Sequence, residues 1–431
     1  MAKGVPTTAR RPFGRSLAWA RELRDWLASV QRTMPLRHRW LLAALVLVVL
    51  SPYTAPVAMG GIAVFAAVRT VRALKSDPSR GFVRAAVAGA AALARESRLF
   101  LPGVVLFVSA TASAVAYGHW TSLLPTFGLL LPAGVAALWF ERTWNRDDAL
   151  HSTHYATLLL LPIAAAAILQ IAFLPVAAYG PRVSGTFGNP NVLAIALEMM
   201  LPMAMALYYH VWSRTGKAML LFSISICWIL LYFTGSRSGV LAAIAAAAVF
   251  YLCMSDRRPM TIALALVAVV LVAVAIGHEE AIDALKGLIP RLGTITLEIQ
   301  SRLSLWAIAW TEILRDPWLG RGLASFPLYV QGTAFADRFH CHSLYLGLWL
   351  ETGLAGVGAV LWMVGSLVVR TVRMLRASPL RPYLSGGLAA LTAIFVHGIT
   401  DMPLMNTQVV ALFALLLAGL SVALEPRRAV P

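Results

Sequence analysis

Two histidines separated by one residue, in the run Arg338-Phe-His-Cys-His-Ser-Leu-Tyr345, are the side chains of this chain best suited to take a proton near neutral pH. They close a stretch, 278–341, that lies between long apolar segments and gathers chargeable groups. Inside it, 301–314 has helical spacing, with Trp306 and Trp310 one turn apart and Arg302 one turn before Trp306. Asp316-Pro317 and Gly320 should end that helix. Two readings stand for it: a helix docked on the bilayer by its tryptophans with Arg302 on lipid headgroups, or an Arg302 that faces an anionic ligand at the membrane surface. Two further turns carry arginine, Arg182 in Arg-Val-Ser-Gly-Thr-Phe-Gly-Asn-Pro-Asn191 and Arg237 in Thr-Gly-Ser-Arg-Ser-Gly239. Their glycines permit tight turns, Asn191 or Ser236 could cap the next helix, and helix N-termini attract anions. Serines and glycines around Arg237 suit an anion nest, whereas a capped turn with its arginine among headgroups is the plainer reading.

His340 and His342 flank Cys341, a local pattern that could bind metal, but no Cys-x-x-Cys or His-Glu-x-x-His completes a site, so no metal is expected. If a helix begins near His342, that residue falls in its first turn, and one histidine of the pair could be a cap. Glu198, Gln170 and His397 are polar intrusions in apolar runs, which hydrocarbon penalises, and Asp401 lies at the outer end of the eleventh run. Glu198 reads as a satisfied group inside a bundle. There is no Gly-rich nucleotide loop, no P-loop and no outward Asp-x-Asp pair. An enzyme of this kind works without ATP, nucleotide or other cofactor, and its driving energy comes with the substrate.

The elements that must position these groups are apolar. The chain has 431 residues, 59% hydrophobic and 13% charged, with a mean hydropathy of +0.74. That is the composition of a polytopic helical membrane protein, long enough for about a dozen crossings at ~20 residues each. Apolar windows place spans at 40–52, 55–73, 99–117, 121–141, 153–176, 191–212, 217–234, 238–254, 259–277, 343–372, 384–400 and 406–424. Pro52, Pro56 and the Gly60-Gly61 pair favour a hairpin for the first two over one long helix.

The net charge of +17 does not indicate nucleic acid, because most Lys and Arg residues sit in short loops between apolar runs, as topology signals do. With both termini cytoplasmic, only Arg182, Arg237, Lys286, Arg291, Arg302, Arg315, Arg321 and Arg338 face outward. These lack a topological reason, so several require a functional one. The leader 1–39 is basic and has no cleavable signal pattern. Its Trp19, Leu23, Trp26, Leu27 and Val30 recur at helical spacing, which suits a helix on the inner membrane surface. Cys227, Cys253 and Cys341 imply no disulfide framework.

The order of Arg182-x-Ser-Gly-Thr-Phe-Gly-Asn-Pro-Asn, Thr-Gly-Ser-Arg237-Ser-Gly, Arg302-x-x-x-Trp with Asp-Pro-Trp-Leu-Gly-Arg-Gly-Leu, and His342-Ser-x-Tyr-Leu with Glu351-x-Gly resembles the O-antigen ligase and polymerase superfamily. The likeness runs over about 155–424 and is greatest to the ligases of lipopolysaccharide assembly; these more often have Asn where this chain has Ser343. The resemblance implies an inverting, metal-independent transfer of a preassembled glycan from an undecaprenyl-diphosphate-linked donor to a sugar hydroxyl of lipid A-core. It places that reaction at the periplasmic face of the bacterial inner membrane. His342 would be the base, with His340 in reserve, while Arg302 and Arg237 stabilise the departing diphosphate. Arg182, His340, Arg338, Asn191, Tyr345 and Asp401 would line the substrate site, and Asp401 is an alternative base.

The expected architecture is an all-α polytopic integral membrane protein of about 12 transmembrane helices with one large, partly helical periplasmic loop between spans 9 and 10. Its parts are a leader with interfacial helix (1–39), spans 1–9 (40–277), the loop domain (278–341), spans 10–12 (342–424) and a cytoplasmic tail (425–431). The same architecture and donor would serve an O-antigen polymerase or a protein O-glycosylating ligase. A lipid or glycan transporter is the reading of a different class, motivated by the many spans and Glu198.

Overall fold

The computed structural model describes residues 36–75, 82–173, 182–211, 213–255 and 295–425. The expected ninth span, 259–277, and the leader helix with Trp19 and Trp26 lie outside them. The chain divides into two units, Met1–Ala43 and Ala44–Pro431, and the second holds every feature discussed below.

Each expected apolar stretch within the described residues carries helix, and no strand occurs among those residues. The elements are α1 (Leu36–Leu50), α2 (Thr54–Lys75), α3 (Phe82–Glu96), α4 (Phe100–Ala116), α5 (Leu131–Thr143), α6 (Arg146–Leu158) and α7 (Leu160–Phe173). They continue with α8 (Pro190–His210), α9 (Arg214–Thr234), α10 (Arg237–Met254), α11 (Ile295–Arg315), α12 (Leu344–Met374), α13 (Arg381–His397) and α14 (Thr407–Ala423). Among the described residues seven helices are long and apolar enough to cross a membrane, or eight if the bent pair α3 and α4 counts as one. The chain is thus a polytopic helical membrane protein.

α1 and α2 are separate helices rather than one long one, the chain breaking at Ser51–Tyr53, where the Thr54 hydroxyl donates back to the Leu47 carbonyl at 2.5 Å. Proline supplies no N–H for either helix there. α3 and α4 meet at 108°, so α3 does not continue the crossing that α4 begins. α8 is the central helix: 83% of its apolar window is buried, against 17–39% for the other candidate spans. It packs on α9, α10 and α13. At α10 this closeness requires glycine, since a Cβ on Gly239 would lie 2.8 Å from the Ala194 Cβ.

α12 is interrupted at Gly353 (φ 65°). From 354 to 374 the helix rises about 30 Å, the thickness of a hydrocarbon core, so that segment alone is long enough to cross one. Carbonyls freed by the break are taken up by the loop after α11: Arg321 N–H donates to the Leu350 carbonyl at 2.7 Å and Gly322 N–H to Glu351 at 2.8 Å. Neither Gly320 (φ 79°) nor Gly353 could carry a side chain, because the added Cβ would fall 2.3 Å from the Gly353 nitrogen or 2.2 Å from the Trp318 carbonyl oxygen, respectively.

Candidate active site

The N-termini of α8, α10, α12 and α14 and the C-termini of α9 and α13 share one end of the bundle, and the sequence-predicted site residues meet there. α12 starts at Leu344, one residue from the expected start of the span, with Ser343 and neither histidine as its N-cap. His342 therefore precedes the helix, in left-handed backbone (φ 53°), a conformation that costs a non-glycine residue roughly 1–3 kcal/mol. The strained turn is held from both sides: Trp306 donates its indole N–H to the His342 carbonyl at 3.1 Å, and Leu344 N–H donates to the Gly398 carbonyl at 2.7 Å. Trp306 thus fastens α11 to the histidine turn, and Trp310 packs edge-on against Trp349.

Asp401, buried just beyond α13, is the hub. His342 Nδ1 lies 3.1 Å from its Oδ1, and His340 Nε2 lies 3.8 Å from the same oxygen. Oδ1 also accepts the Met402 N–H at 2.9 Å, while Oδ2 accepts from the Asn191 amide at 2.8 Å. Burial alone would raise this carboxyl. The hydrogen bonds from His342 and His397, with the charges of His342 and His340, instead hold it well below the ordinary 3.8. An ionised carboxylate only accepts, so Nδ1 of His342 carries hydrogen, and in the neutral ring Nε2 presents its lone pair. His340 differs. Its Nδ1 accepts the His342 backbone N–H at 3.2 Å, and burial first, then the charges of His342, Arg338 and Arg302, push it down to about 4 against the pull of Asp401.

Asn191 passes this network on to Arg182, whose guanidinium donates to the Asn191 side-chain oxygen and, at 2.7 Å, to the Thr234 carbonyl. Asn191 is not a cap, because Asn189 caps α8 by accepting the Asn191 N–H and Pro190 opens the helix. Gln170 is a satisfied group: its oxygen accepts the N–H groups of Ser184 and Gly185 at 3.0 and 2.8 Å and fixes the turn that carries Arg182. Around Arg237 the small residues serve the helix ends, with Ser236 capping α10 through the Gly239 N–H and Gly235 closing α9. That spends amides an anion nest would need. Arg237 itself pairs with Glu298 on α11.

Arg302, one turn further along α11, is half-buried, lies within electrostatic range of His340, and has no hydrogen-bond or ion-pair partner among the described residues. Arg338 is exposed and contacts Asp337 at 3.5 Å. Tyr345 is placed away from the cluster, its hydroxyl donating to the Phe395 carbonyl at 2.8 Å, which ties α12 to α13.

Two groups that had no assigned partner form a buried second layer. The fully buried Glu198 accepts from His397 Nδ1 at 2.9 Å, and His397 Nε2 faces Asp401 Oδ2 at 3.9 Å and the Ser238 hydroxyl at 3.4 Å. The sequence separations, 199 residues for Glu198 to His397 and 59 for His342 to Asp401, hide both contacts from any local motif. His340, His342 and Asp401 also bring donor atoms within 4.8 Å of one another, a spacing a transition-metal ion could use. The third donor was the one missing from the sequence pattern, and in this geometry the His342–Asp401 hydrogen bond already employs it. No disulfide joins the three cysteines; burial pushes Cys341 up to about 12, which makes it inert beside the histidines.

No curated protein matches the chain. Residues 220–363 match the family O-antigen ligase, a stretch that holds Arg237, Arg302, His340 and His342, with Arg182 and Asp401 outside it. Over that third of the chain the protein is similar to the O-antigen ligases.

Proposed function

We propose that the protein is an O-antigen ligase, transferring a preassembled glycan from undecaprenyl diphosphate to a sugar hydroxyl of lipid A-core. The observation that carries this reading is a histidine whose Nδ1 is held by a buried carboxylate, leaving Nε2 as acceptor, beside Arg302 with no anion of its own among the described residues. The acceptor hydroxyl oxygen attacks the sugar carbon as the carbon to phosphate-oxygen bond breaks, and the configuration inverts. Its proton passes to His342 Nε2, while the bonding electrons leave with the lipid diphosphate. Guanidinium groups supply the stabilisation that other enzymes take from magnesium, so neither metal nor ATP is needed. Arg302 is the primary donor to the diphosphate. Arg237 joins by exchanging Glu298 for phosphate, and Arg182 orients Asn191 and through it Asp401. His340 is a neutral spacer rather than a second base, since both of its nitrogens are engaged. Glu198 and His397 are positioning residues: both nitrogens of His397 face acceptors, the arrangement an imidazolium satisfies, and this keeps Asp401 a carboxylate.

In this reading the chain crosses the bacterial inner membrane twelve times, 259–277 being the ninth span, with both termini cytoplasmic. Segment 278–341 is the periplasmic loop domain, flanked by spans 40–277 and 342–424 with 1–39 and 425–431 as cytoplasmic ends. The test is purified protein with both lipid substrates in the presence of a chelator and without nucleotide. Joined product is expected, and folded His342→Ala should lose 10²–10⁴-fold in turnover (~3–5 kcal/mol). Near-normal turnover in that variant would overturn the assignment. Elongation of the donor glycan in place of transfer to lipid A-core would assign the protein to the polymerases of the same superfamily.

A further inference from the structure

The end of the bundle opposite the histidine site carries a cavity of about 320 Å³ between the α3–α4 bend and α12. Arg95, Arg98 and Arg370 line it with Ser366, and Leu101 and Trp362 form its apolar wall. Positive-inside topology accounts for arginines at this end but not for three converging on one concavity.

The notch is a built feature. The buried Glu141 holds the bend, accepting from the Ser97 hydroxyl and, at 3.2 Å, from the Arg98 N–H, and the Ser421 hydroxyl of α14 donates to the same carboxylate at 2.5 Å. Arg98 is anchored in turn on the Ser421 carbonyl at 3.3 Å and Glu425 at 3.7 Å. Glu96, the acid in the lining, faces Arg142 at 2.5 Å, so its charge is already met. Arg95 and Arg370 are exposed and have no hydrogen-bond or ion-pair partner among the described residues. The space is about ten times the ~30 Å³ that a water molecule occupies in the liquid, enough for a phosphate with a glycerol backbone. Beside it, α3 exposes Val83 and Val87, one turn apart, as a helix lying in the membrane interface would.

We propose that this notch binds the phosphate of an anionic phospholipid in the adjoining leaflet. Arg95 and Arg370 contact the phosphodiester oxygens, Ser366 donates to them, and the first acyl carbons lie along Leu101 and Trp362. This site is separate from the transfer chemistry and does not depend on it.

The test is native mass spectrometry of the delipidated full-length chain with phosphatidylglycerol, phosphatidylcholine or inorganic phosphate. One phosphatidylglycerol should be retained at least tenfold more tightly than phosphatidylcholine, and millimolar phosphate should not displace it. Arg95→Gln together with Arg370→Gln, both at exposed positions, should abolish the preference with an unchanged melting temperature, and Arg370→Gln alone should weaken it. Equal retention of the two lipids, or full retention by the double variant, would overturn the proposal. Displacement by inorganic phosphate would overturn its lipid part and leave a small-anion site.

Discussion

Two clusters of arginine and carboxylate stand at the same end of this bundle and differ in how completely their charges are met. Around the α12 break, Arg321 is buried, stacks over the Tyr117 ring at 4.2 Å and lies 3.8 Å from Glu312, which also binds Arg315. Asp316 accepts from Tyr117 as well as from the Trp318 and Leu319 N–H groups, and the Tyr117 hydrogen bond, against some desolvation, lowers its carboxyl. This cluster is closed apart from the buried Arg321 Nε, which has no hydrogen-bond partner among the described residues: its cations otherwise answer its own carboxylates and carbonyls. Around Asp401 the carboxylate is saturated, but His342 Nε2 and Arg302 retain donor or acceptor capacity. Closed charge fixes a fold, and open charge is what a substrate can use. Of the eight cations expected to face outward, the sequence treats Arg302, Arg315 and Arg321 alike; packing separates them.

The sharpest test of the contrast exchanges one arginine from each cluster. Arg302→Ala should leave the melting temperature near wild type and lower turnover by about 10²–10³-fold, with Arg302→Lys recovering part, because a transition-state donor has been removed. Arg321→Met should do the reverse. Arg315 stays on Glu312, but losing the buried guanidinium with its Tyr117 and Glu312 contacts is expected to cost about 2 kcal/mol of stability, read as a lower melting temperature, while turnover per folded molecule stays within a few-fold. If both variants lose the same property, the distinction between the clusters fails.

A smaller effect is expected behind Asp401. Glu198→Gln preserves shape but removes the charge opposite His397, so kcat should fall about tenfold (~1.4 kcal/mol) with KM for the donor little changed. A purely structural Glu198 would instead change stability and leave kcat of the folded fraction intact.

The smallest effect concerns pH and stability. His340 is lowered from 6.5 to about 4 in the folded chain, so as pH falls below 6.5 the unfolded state binds a proton that the folded state refuses. The His340 contribution should therefore decline between pH 6.5 and 4. Below about pH 4 the decline continues through Asp401, which is held well below 3.8 in the folded chain and takes up its proton first in the unfolded one. The ceiling is roughly 3 kcal/mol, reduced by the partial exposure of the ring, and His340→Asn should flatten that part of the melting curve against pH.

The sequence made the helices legible because hydrocarbon leaves the backbone no other way to satisfy itself, so each long apolar run must be helix. The turns with Arg182 and Arg237, the helix around Arg302 and the histidine pair were legible for a similar reason: polar residues stand out between apolar runs. The details that failed are local competitions. Asn189 outbid Asn191 as a cap because Pro190 belongs at the first helical position, and Ser343 caps α12 where one of the two histidines could have done so. Asp401 was visible only as a carboxylate at a helix end, and Glu198 only as an intrusion in a span.

What the chain determined by itself is the inventory: apolar helices, outward turns and the few groups capable of proton transfer or anion binding. Hydrophobic periodicity and turn chemistry act over a handful of residues, so they survive in a linear reading. Which histidine keeps a lone pair, which arginine stays open and what balances Glu198 were decided only by the packing of α8, α10, α12 and α13. A charge in a low-dielectric bundle takes its meaning from the nearest opposite charge, and here that neighbour lies up to 199 residues away along the chain.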